Sequence, residues 1–168
     1  MNATSHFQIM ARYNQWMNHK LYDLCGELTD EQRKRDVGAF FKSIHGTLNH
    51  LLVADRIWMA RFTSQPFPGY KLDQQLYDDF NELKAAREFE DVRILNWMLT
   101  QTEQDLSGNL HYTSIANPQP RTTPLWLALS HFFNHQTHHR GQITTLLMQQ
   151  GIDPGVTDLM WLPDPPQS

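Results

Sequence analysis

Apolar residues recur along this 168-residue chain with the period of an α-helix, and this periodicity constrains the fold more than any other feature. Glycine, proline and polar clusters interrupt the pattern, so that four long segments result. Each segment has its apolar stripe on one face, which must be buried against another segment. The sequence therefore predicts an all-α fold, with helices over residues 4–28, 40–64, 73–107 and 124–151, the third of them broken near its start.

The connection before the last helix differs from the others. Residues 110–123 (LHYTSIANPQPRTT) contain alternating residues that favour strands, and Asn117 and Pro118 are typical of a turn. We therefore predict a short β-hairpin in this crossover. The C-terminal stretch GIDPGVTDLMWL contains large apolar residues such as Met160 and Trp161, which predicts that it packs back on the helices or on a partner.

Composition argues against several classes of protein. The formal net charge is −4 and the 14 Lys and Arg residues are scattered, which gives no face for binding nucleic acid. No apolar run approaches the roughly 20 residues that cross a bilayer, so no membrane association is expected. The N-terminal stretch MNATSHFQIMARYNQ lacks the apolar core of a signal peptide, and the single cysteine, Cys25, allows no intrachain disulfide. The expectation is a cytoplasmic protein with one domain, residues 1–168.

Histidine is the residue whose number and position stand out. The chain has nine, and four of them lie between His131 and His139. His135 and His139 have i,i+4 spacing, which places both on one face of the last helix and allows them to converge on one ion. On a helical wheel the apolar stripe lies about 20° to 120° from His135; His139, at about 40°, is inside it, and His138, at about 300°, faces solvent. The pattern thus separates two inward histidines from an outward one.

Two buried imidazoles need partners, since burying one without a partner costs about 1–3 kcal/mol. A metal ion is one solution, and hydrogen bonds to carbonyl or carboxylate groups within the helices are another; the spacing alone does not choose. A third ligand must come from another helix, and the second helix offers His45 and His50. Periodicity places His45 nearer the apolar stripe, whereas His50 has small neighbours, Gly46 and Ala54, one turn away. On these grounds the choice between the two stays open.

Several polar residues near these histidines are candidates for orienting a ligand or for contacting a substrate. His131 and Gln142 flank the histidine pair on the same side of the last helix. Asp55, on the second helix, is a candidate for a hydrogen bond to a ligand histidine or for a general base. Tyr13 and Asn18, on the first helix, are candidates for lining the cavity. For each of these residues, an ordinary structural role between helices is the alternative.

Four stretches of the sequence together resemble the DinB/YfiT-like family of metalloenzymes, and most closely its damage-inducible DinB branch. They are YNQWMNHKL, HGTLNHLLVADRIW, HQTHHRGQI and the late GIDPGVTDLMWL, and the resemblance spans nearly the whole chain. In that family the three metal-ligand histidines of the pattern correspond to His50, His135 and His139, which decides against His45. The resemblance also implies a four-helix bundle with up-down-down-up connectivity, which needs long crossovers, and a homodimer.

The ligand set implied by the resemblance has a defined chemistry. Three neutral imidazoles without a thiolate or a carboxylate suit Zn²⁺ or Ni²⁺, and Fe²⁺, Co²⁺ and Mn²⁺ are also compatible. Three protein ligands leave a coordination position for water or substrate, as in catalytic sites. A water or thiol bound there loses its proton more readily. We therefore expect one divalent transition-metal ion, Zn²⁺ or Ni²⁺, as the cofactor.

Members of the family with known activity use low-molecular-weight thiols. The resemblance therefore implies a metal-dependent thiol transferase, with a small thiol and an electrophile as substrates. One alternative is a metal-dependent hydrolase, for which Asp55 is the candidate carboxylate. Another is a stress-response protein that binds a metal or a small molecule without catalysis. The DinB name refers to induction by DNA damage, and the negative charge gives no support for contact with nucleic acid.

Overall fold

The structure is a computed structural model that describes residues 2–67, 69–115 and 118–164. Within these ranges it is mainly helical, as the sequence predicts, with a two-stranded antiparallel sheet. No helix in the described ranges combines the length and apolar character that a membrane span needs. The long helices are α1 (Ala3–Gly26), α3 (Ile44–Phe62), α4 (Phe80–Thr100) and α6 (Leu125–Gln149), and the short ones are α2 (Asp30–Lys34) and α5 (Glu103–Leu106).

The second long helix begins at Ile44 rather than at residue 40 as predicted. Ser43 caps it, because its Oγ accepts a hydrogen bond from the Gly46 backbone N–H at 3.0 Å. Lys42, in the turn before the helix, has a φ of +67°, a left-handed conformation that an α-helix does not contain. The prediction was wrong because Phe40 continues the apolar period although it belongs to this turn.

The third predicted helix, residues 73–107, is wrong at both ends. Helix α4 begins at Phe80, after Asp79, whose Oδ1 accepts hydrogen bonds from two backbone N–H groups of the first turn. It ends at Thr100, and Thr102 starts α5 with a reciprocal pair of side-chain caps. The break therefore lies near the end of the predicted segment and not near its start.

The predicted hairpin before the last helix is confirmed. Strands β1 (Asn109–Thr113) and β2 (Pro120–Pro124) pair in antiparallel orientation. Asn117, one of the two predicted turn residues, lies outside the described residues. The last helix follows β2 directly, and the Leu125 N–H donates to the Gly108 carbonyl at 2.9 Å. The hairpin thus fixes the point at which α6 begins.

The long helices bury their apolar stripes against one another. Helix α1 packs against α4 and α6, and α3 packs against the same two helices. Among the described residues, one apolar cluster includes Leu51 and Ile143, and a second includes Met59 and Phe132. Both clusters take residues from all four long helices, so the faces predicted to be apolar are the buried ones.

The C-terminal tail runs back along α1, which is one of the two predicted alternatives. The Tyr13 hydroxyl donates to the Thr157 carbonyl and the Lys20 ammonium to the Val156 carbonyl, each at 2.6 Å. Trp161, in a single 3-10 turn of the tail, is nevertheless 65% exposed. Hydrogen bonds from side chains of α1 to backbone carbonyls of the tail therefore contribute to docking this segment, while its largest apolar side chain faces outward.

Candidate metal centre

Helices α3 and α6 pack together, and this brings His50 next to His135 and His139. We call these three residues the histidine cluster; one ring nitrogen of each lies within 4.8 Å of the others. His135 and His139 are neighbours because their spacing places them one turn apart on the same face. His50 and His139 are buried and His135 is half-buried. The structure thus brings the three predicted residues together, while their role as ligands stays a prediction.

The ring nitrogens that face one another are the Nε2 atoms. His135 Nε2 lies 3.3 Å from His50 Nε2 and 3.1 Å from His139 Nε2. With Zn–N bonds of about 2.0–2.1 Å, two nitrogens on one ion are about 3.3 Å apart at the tetrahedral angle and about 2.9 Å apart at a right angle. The observed distances lie within this interval. His135 therefore has the spacing to each of the other two histidines that two imidazoles on a single ion have.

Hydrogen bonds at the opposite nitrogen set the tautomer of two of the rings. His50 Nδ1 donates to the Leu72 carbonyl at 2.7 Å, and His139 Nδ1 donates to Gln142 Oε1 at 2.8 Å. With the proton on Nδ1, Nε2 has a free lone pair directed into the cluster. A metal ion would bind the lone pairs of His50 and His139. A single N–H group on His135 Nε2, donated to both nitrogens, would also satisfy them. These are the metal and hydrogen-bond alternatives that the sequence left open.

Burial keeps the imidazoles neutral. Burial is the largest cause and neighbouring imidazoles a smaller one, and together they lower the pKa of His50 to about 4 and the pKa of His135 to about 3. Burial also lowers the pKa of His139. Neutral imidazole is the form that coordinates a metal ion, so protons do not compete for these nitrogens near neutral pH.

Phe41 is a contact of the cluster that the sequence analysis missed. Its ring stacks on His50, with the ring centroids 3.8 Å apart and an angle of 16° between the planes. This approach requires Gly46, because a Cβ at that position would collide with the carbonyl oxygen of Phe41. A glycine in the first turn of α3, one turn before a candidate ligand, was the signal that indicated a close neighbour.

A cavity of about 550 Å³ opens beside the histidine cluster. His50 and His139 line it together with the apolar side chains of Phe40 and Leu72. Asp73 also lines the cavity and is exposed. Sequence reasoning did not select Asp73, because it lies in a connection whose path periodicity does not predict. The cavity therefore offers an apolar wall, a carboxylate and access to the histidines.

Two of the residues predicted to assist the site lie beside it. Gln142 accepts the hydrogen bond from His139, and its side-chain nitrogen is 3.3 Å from His138 Nε2. The ring of His131 lies 6.0 Å from the ring of His135. His138 is exposed, as the helical wheel predicts. Gln142 is thus in contact with the candidate ligand His139. His131 is the neighbour of a second candidate ligand, His135, along the same helix face.

The structure places Asp55, Asn18 and Tyr13 elsewhere and corrects their assignment to the site. Asp55 Oδ2 lies 2.5 Å from Arg87 Nη1, so that it pairs with α4 and not with a histidine. Asn18 donates to Asp91 Oδ1 at 2.8 Å, and the Tyr13 hydroxyl donates to the tail. On α3 the aspartate lies about 140° around the helix from the candidate ligand, which explains why it faces a different neighbour.

His45, the other histidine considered on α3, has a different partner. Its Nε2 donates to the Tyr77 carbonyl at 2.9 Å, and the Asn49 side chain donates to the same oxygen at 3.1 Å. His45 therefore holds the segment before α4 against α3. It is not one of the residues of the histidine cluster.

A second buried polar group, which we call the ionic cluster, joins the four long helices. Arg87 of α4 pairs with Asp55 of α3 and, at 3.0 Å, with Asp91 one turn along α4. Asn14 of α1 donates to Asp91 at 3.4 Å and accepts a hydrogen bond from Arg140 of α6. Two arginines and two aspartates thus lie close together in the interior, and their charges compensate one another.

Known proteins resemble this chain over most of its length. The DinB family model matches residues 1–167. Protein DinB of Bacillus subtilis (strain 168) is 29% identical over 154 residues, which cover 89% of this chain and 88% of that protein. The crystal structure of a DinB-like protein from Bacillus cereus ATCC 10987 superposes with a TM-score of 0.63 at 24% identity, covering 86% of this chain and 91% of that chain. At that level of identity the structural likeness concerns the fold.

Proposed function

Since the chain belongs to the DinB family, we propose that it binds one divalent transition-metal ion through Nε2 of His50, His135 and His139 and carries out a metal-dependent thiol transfer. The observation that carries the proposal is the convergence of the three Nε2 atoms, with separations of 3.1 and 3.3 Å from His135. The donor set suits Zn²⁺ or Ni²⁺, and also Fe²⁺, Co²⁺ or Mn²⁺.

The residues around the histidine cluster orient its imidazole rings and cover part of its surface. Leu72 and Gln142 accept hydrogen bonds that fix two of the rings, and Phe41 covers one face of His50. Three protein ligands leave room for a further ligand, which the cavity of about 550 Å³ can admit. When bound, a divalent ion supplies the positive charge that lowers the pKa of a thiol or a water molecule held against it.

Metal binding is tested by elemental analysis of protein purified without added metal, followed by titration with Zn²⁺ and Ni²⁺. We expect one equivalent in the wild type and loss of binding in His50→Ala, His135→Ala and His139→Ala, since each variant removes one ligand. His138→Ala removes an exposed histidine next to a candidate ligand and is the matched control, which should bind like the wild type. Full occupancy in His139→Ala would contradict the proposed site.

Thiol transfer is tested by incubating the metal-loaded protein with low-molecular-weight thiols and a panel of apolar electrophiles. We expect conjugation faster than in the His50→Ala control, because that variant lacks the metal site. Conjugation at the rate of the control, from protein that retains its metal, would favour a non-catalytic metal-binding protein instead. The apolar wall formed by Phe40 and Leu72 is the reason for choosing apolar electrophiles.

Hydrolysis is the second candidate, and Asp73 is the observation that favours it. A metal-dependent hydrolase needs a carboxylate base near the ion, and Asp55 cannot serve because it pairs with Arg87. Asp73 lines the cavity beside the histidine cluster. Replacing Asp73 with Asn should lower a hydrolase rate by about 10²-fold or more and leave thiol transfer unchanged. The ratio of the two rates in this variant therefore distinguishes the two reactions.

We also propose that the four long helices form a bundle with up-down-down-up connectivity. In α3 and α4 the numbers of contacting residues rise together, as in parallel neighbours: Asp55 contacts Arg87 and Phe62 contacts Trp97. Spin-label distances test this, since the first turns of α1 and α6 should be close and those of α1 and α4 far apart. Phe7 contacts Phe133 and Asn14 contacts Arg140, which supports parallel α1 and α6. Asn18 contacts Asp91 and Asp23 contacts Lys84, which supports antiparallel α1 and α4. His50 contacts His139 and Trp58 contacts His131, which supports antiparallel α3 and α6.

A homodimer, which the resemblance implies, completes the proposal. Large apolar side chains exposed on the surface support it: Trp126 is 50% and Trp161 is 65% exposed. Light scattering over a range of concentrations should give twice the chain mass of 19.7 kDa. The monomer mass at every concentration would contradict this part of the proposal.

A further inference from the structure

A second cavity, of about 540 Å³, lies between the end of α3 and strand β1. Ile57 and Ala60 of α3 line it on one side, and Tyr112 and Ile115 line it from the hairpin. Arg61 also lines it and supplies a charged group. The volume falls within the roughly 300–1,000 Å³ of cavities that hold small organic ligands. None of the three clustered histidines belongs to its lining, so this cavity is separate from the candidate metal centre.

The guanidinium of Arg61 contacts two aromatic rings that are themselves neighbours. Its central carbon is 4.5 Å from the ring centroid of Trp58 and 4.6 Å from that of Tyr112. Cation–π contacts of this kind restrict the position of the guanidinium, and they do not use its N–H groups as hydrogen-bond donors. Burial lowers the pKa of Arg61, and Tyr112 opposes the effect. The two rings therefore hold the cation at the cavity and shield it in part from bulk solvent.

Arg61 differs from the other interior arginines because its side chain has no hydrogen-bond acceptor among the residues that the structure describes. In the part of the chain that the structure describes, no carboxylate lies within ion-pair distance of Arg61. By contrast, Arg87 pairs with Asp55, and Arg33 donates to backbone carbonyls. Arg140, the remaining fully buried arginine, donates to a side-chain amide. A half-buried cation with no acceptor among the described residues, beside an apolar cavity, is a position at which a ligand can supply the acceptor.

We infer that this cavity binds a small organic acid, with its carboxylate on Arg61 and an apolar or aromatic body against Ile57, Ala60 and Ile115. The planar fork of a guanidinium matches the two oxygens of a carboxylate and forms two parallel hydrogen bonds with it. The carbonyls of Met59, Ala60 and Arg61, in the last turn of α3, accept hydrogen bonds from the backbone N–H groups of residues 63–65, which weakens their repulsion of an anion.

Calorimetric titration of the full-length, metal-free protein with 2-naphthoate and with its neutral amide, 2-naphthamide, tests the inference. We expect the acid to bind about tenfold more tightly than the amide, because the charged pair strengthens its hydrogen bonds. Arg61→Gln should reduce the affinity for the acid to that for the amide, and Arg61→Lys, which keeps the charge without the fork, should give an intermediate value. The control Arg121→Gln removes an exposed charge opposite Tyr112 on β2 and should bind like the wild type.

Three outcomes would overturn the inference. They are equal affinity of the wild type for acid and amide, unchanged affinity for the acid in Arg61→Gln, and no binding of the acid at millimolar concentration. The position of the ligand is checked in the wild type by nuclear Overhauser effects, which should connect the naphthalene protons to methyl groups of Ile57 and Ile115; contacts only elsewhere would refute the assignment. His139→Ala should bind the acid unchanged, and loss of binding there would refute the separation from the metal centre.

Discussion

The histidine cluster and the ionic cluster are both buried polar groups, and they differ in whether opposite charges within the protein balance them. In the ionic cluster, Arg87 and Arg140 lie among Asp55 and Asp91, and the charges compensate within the protein. In the histidine cluster, neutral rings direct acceptor nitrogens toward one another, and among the described residues no carboxylate belongs to the group. The first arrangement balances its charges without a ligand, although Asp55 Oδ1 and Arg87 Nε are buried and have no hydrogen-bond partner among the described residues, whereas the second needs a shared proton or a cation. This difference separates a structural polar core from a candidate binding site.

The two clusters also affect stability with opposite dependence on pH. Burial raises the pKa of Asp55 to about 7 and that of Asp91 to about 6, although Arg87 opposes the shift. The folded state then binds more protons than the unfolded state, so this contribution falls as the pH rises from about 4 to about 7. Burial lowers the pKa of His50 to about 4 and that of His135 to about 3. The unfolded chain then binds more protons, so this contribution falls as the pH decreases from about 6.5 to about 4.

The largest effect is expected from breaking the ionic cluster. Arg87→Met should lower the free energy of unfolding by about 3–5 kcal/mol, because it leaves Asp55 and Asp91 buried without their cation. The loss should be smaller near pH 5 than near pH 8, because the two aspartates are protonated more easily at pH 5 and a neutral carboxyl group needs no cation beside it. Urea unfolding at both pH values measures this. Arg93→Met, which removes a half-buried partner of Glu90, is the control and should cost about 1 kcal/mol or less; an equal loss in both variants would contradict the role of the ionic cluster.

The next effect concerns the histidine cluster with metal. Zn²⁺ at a free concentration of about 1,000 times its Kd should raise the free energy of unfolding by about 4 kcal/mol, because it binds the folded state. The increase should be absent in His50→Ala and retained in Arg87→Met, since the ionic cluster does not contribute to the site. Thermal unfolding with and without the metal measures it. The same increase in His50→Ala as in the wild type would show that Zn²⁺ binds elsewhere.

The opposite pH dependence provides a third test, in metal-free protein. Between about pH 6.5 and pH 4 the wild type should lose about 2–3 kcal/mol more stability than the double variant His50→Ala/His135→Ala. This expected loss of stability is smaller than the sum that the two pKa shifts alone would give, because His135 is half-buried and solvent screens its charge. Denaturant unfolding across this interval measures the difference. Parallel curves for the two proteins would mean that the histidines are not held neutral.

The long helices and the hairpin were predictable because their signals are local. An apolar period extends over many residues, and turn residues such as those between β1 and β2 act over a few. The ends of α3 and α4 were not predicted, because a single cap decides them. Ser43 and Asp79 start these helices while neighbouring residues, such as Phe40, continue the apolar pattern. A local capping bond thus determines what periodicity leaves undecided.

The candidate site was predictable only in part, for a related reason. The spacing of His135 and His139 is local to one helix, whereas His50 was chosen over His45 by family resemblance. The contacts of Leu72, Phe41 and Asp73 depend on how two connections fold against the helices, and no periodicity specifies this. Asp55 was assigned to the site because a carboxylate on an apolar face needs a partner. Its partner, Arg87, lies on a helix whose register the sequence did not indicate.

The smallest effect expected is the most specific to the site. Gln142→Leu should weaken Zn²⁺ binding by about 10- to 100-fold, or about 1.4–2.7 kcal/mol, because Gln142 accepts the hydrogen bond from His139 Nδ1 and so directs Nε2 to the ion. Competition with a chelator of known affinity measures the change. Gln142→Glu keeps an acceptor at this position and should bind at least as tightly as the wild type. Unlike Arg87→Met, Gln142→Leu should leave the stability of the metal-free protein within about 1 kcal/mol, since its side chain lies at the rim of the cluster. If Gln142→Leu instead lost stability and kept its affinity for zinc, the hydrogen bond would stabilise α6 and would not orient a metal ligand. The difference between the two clusters would then concern only the three histidines and not the residues around them.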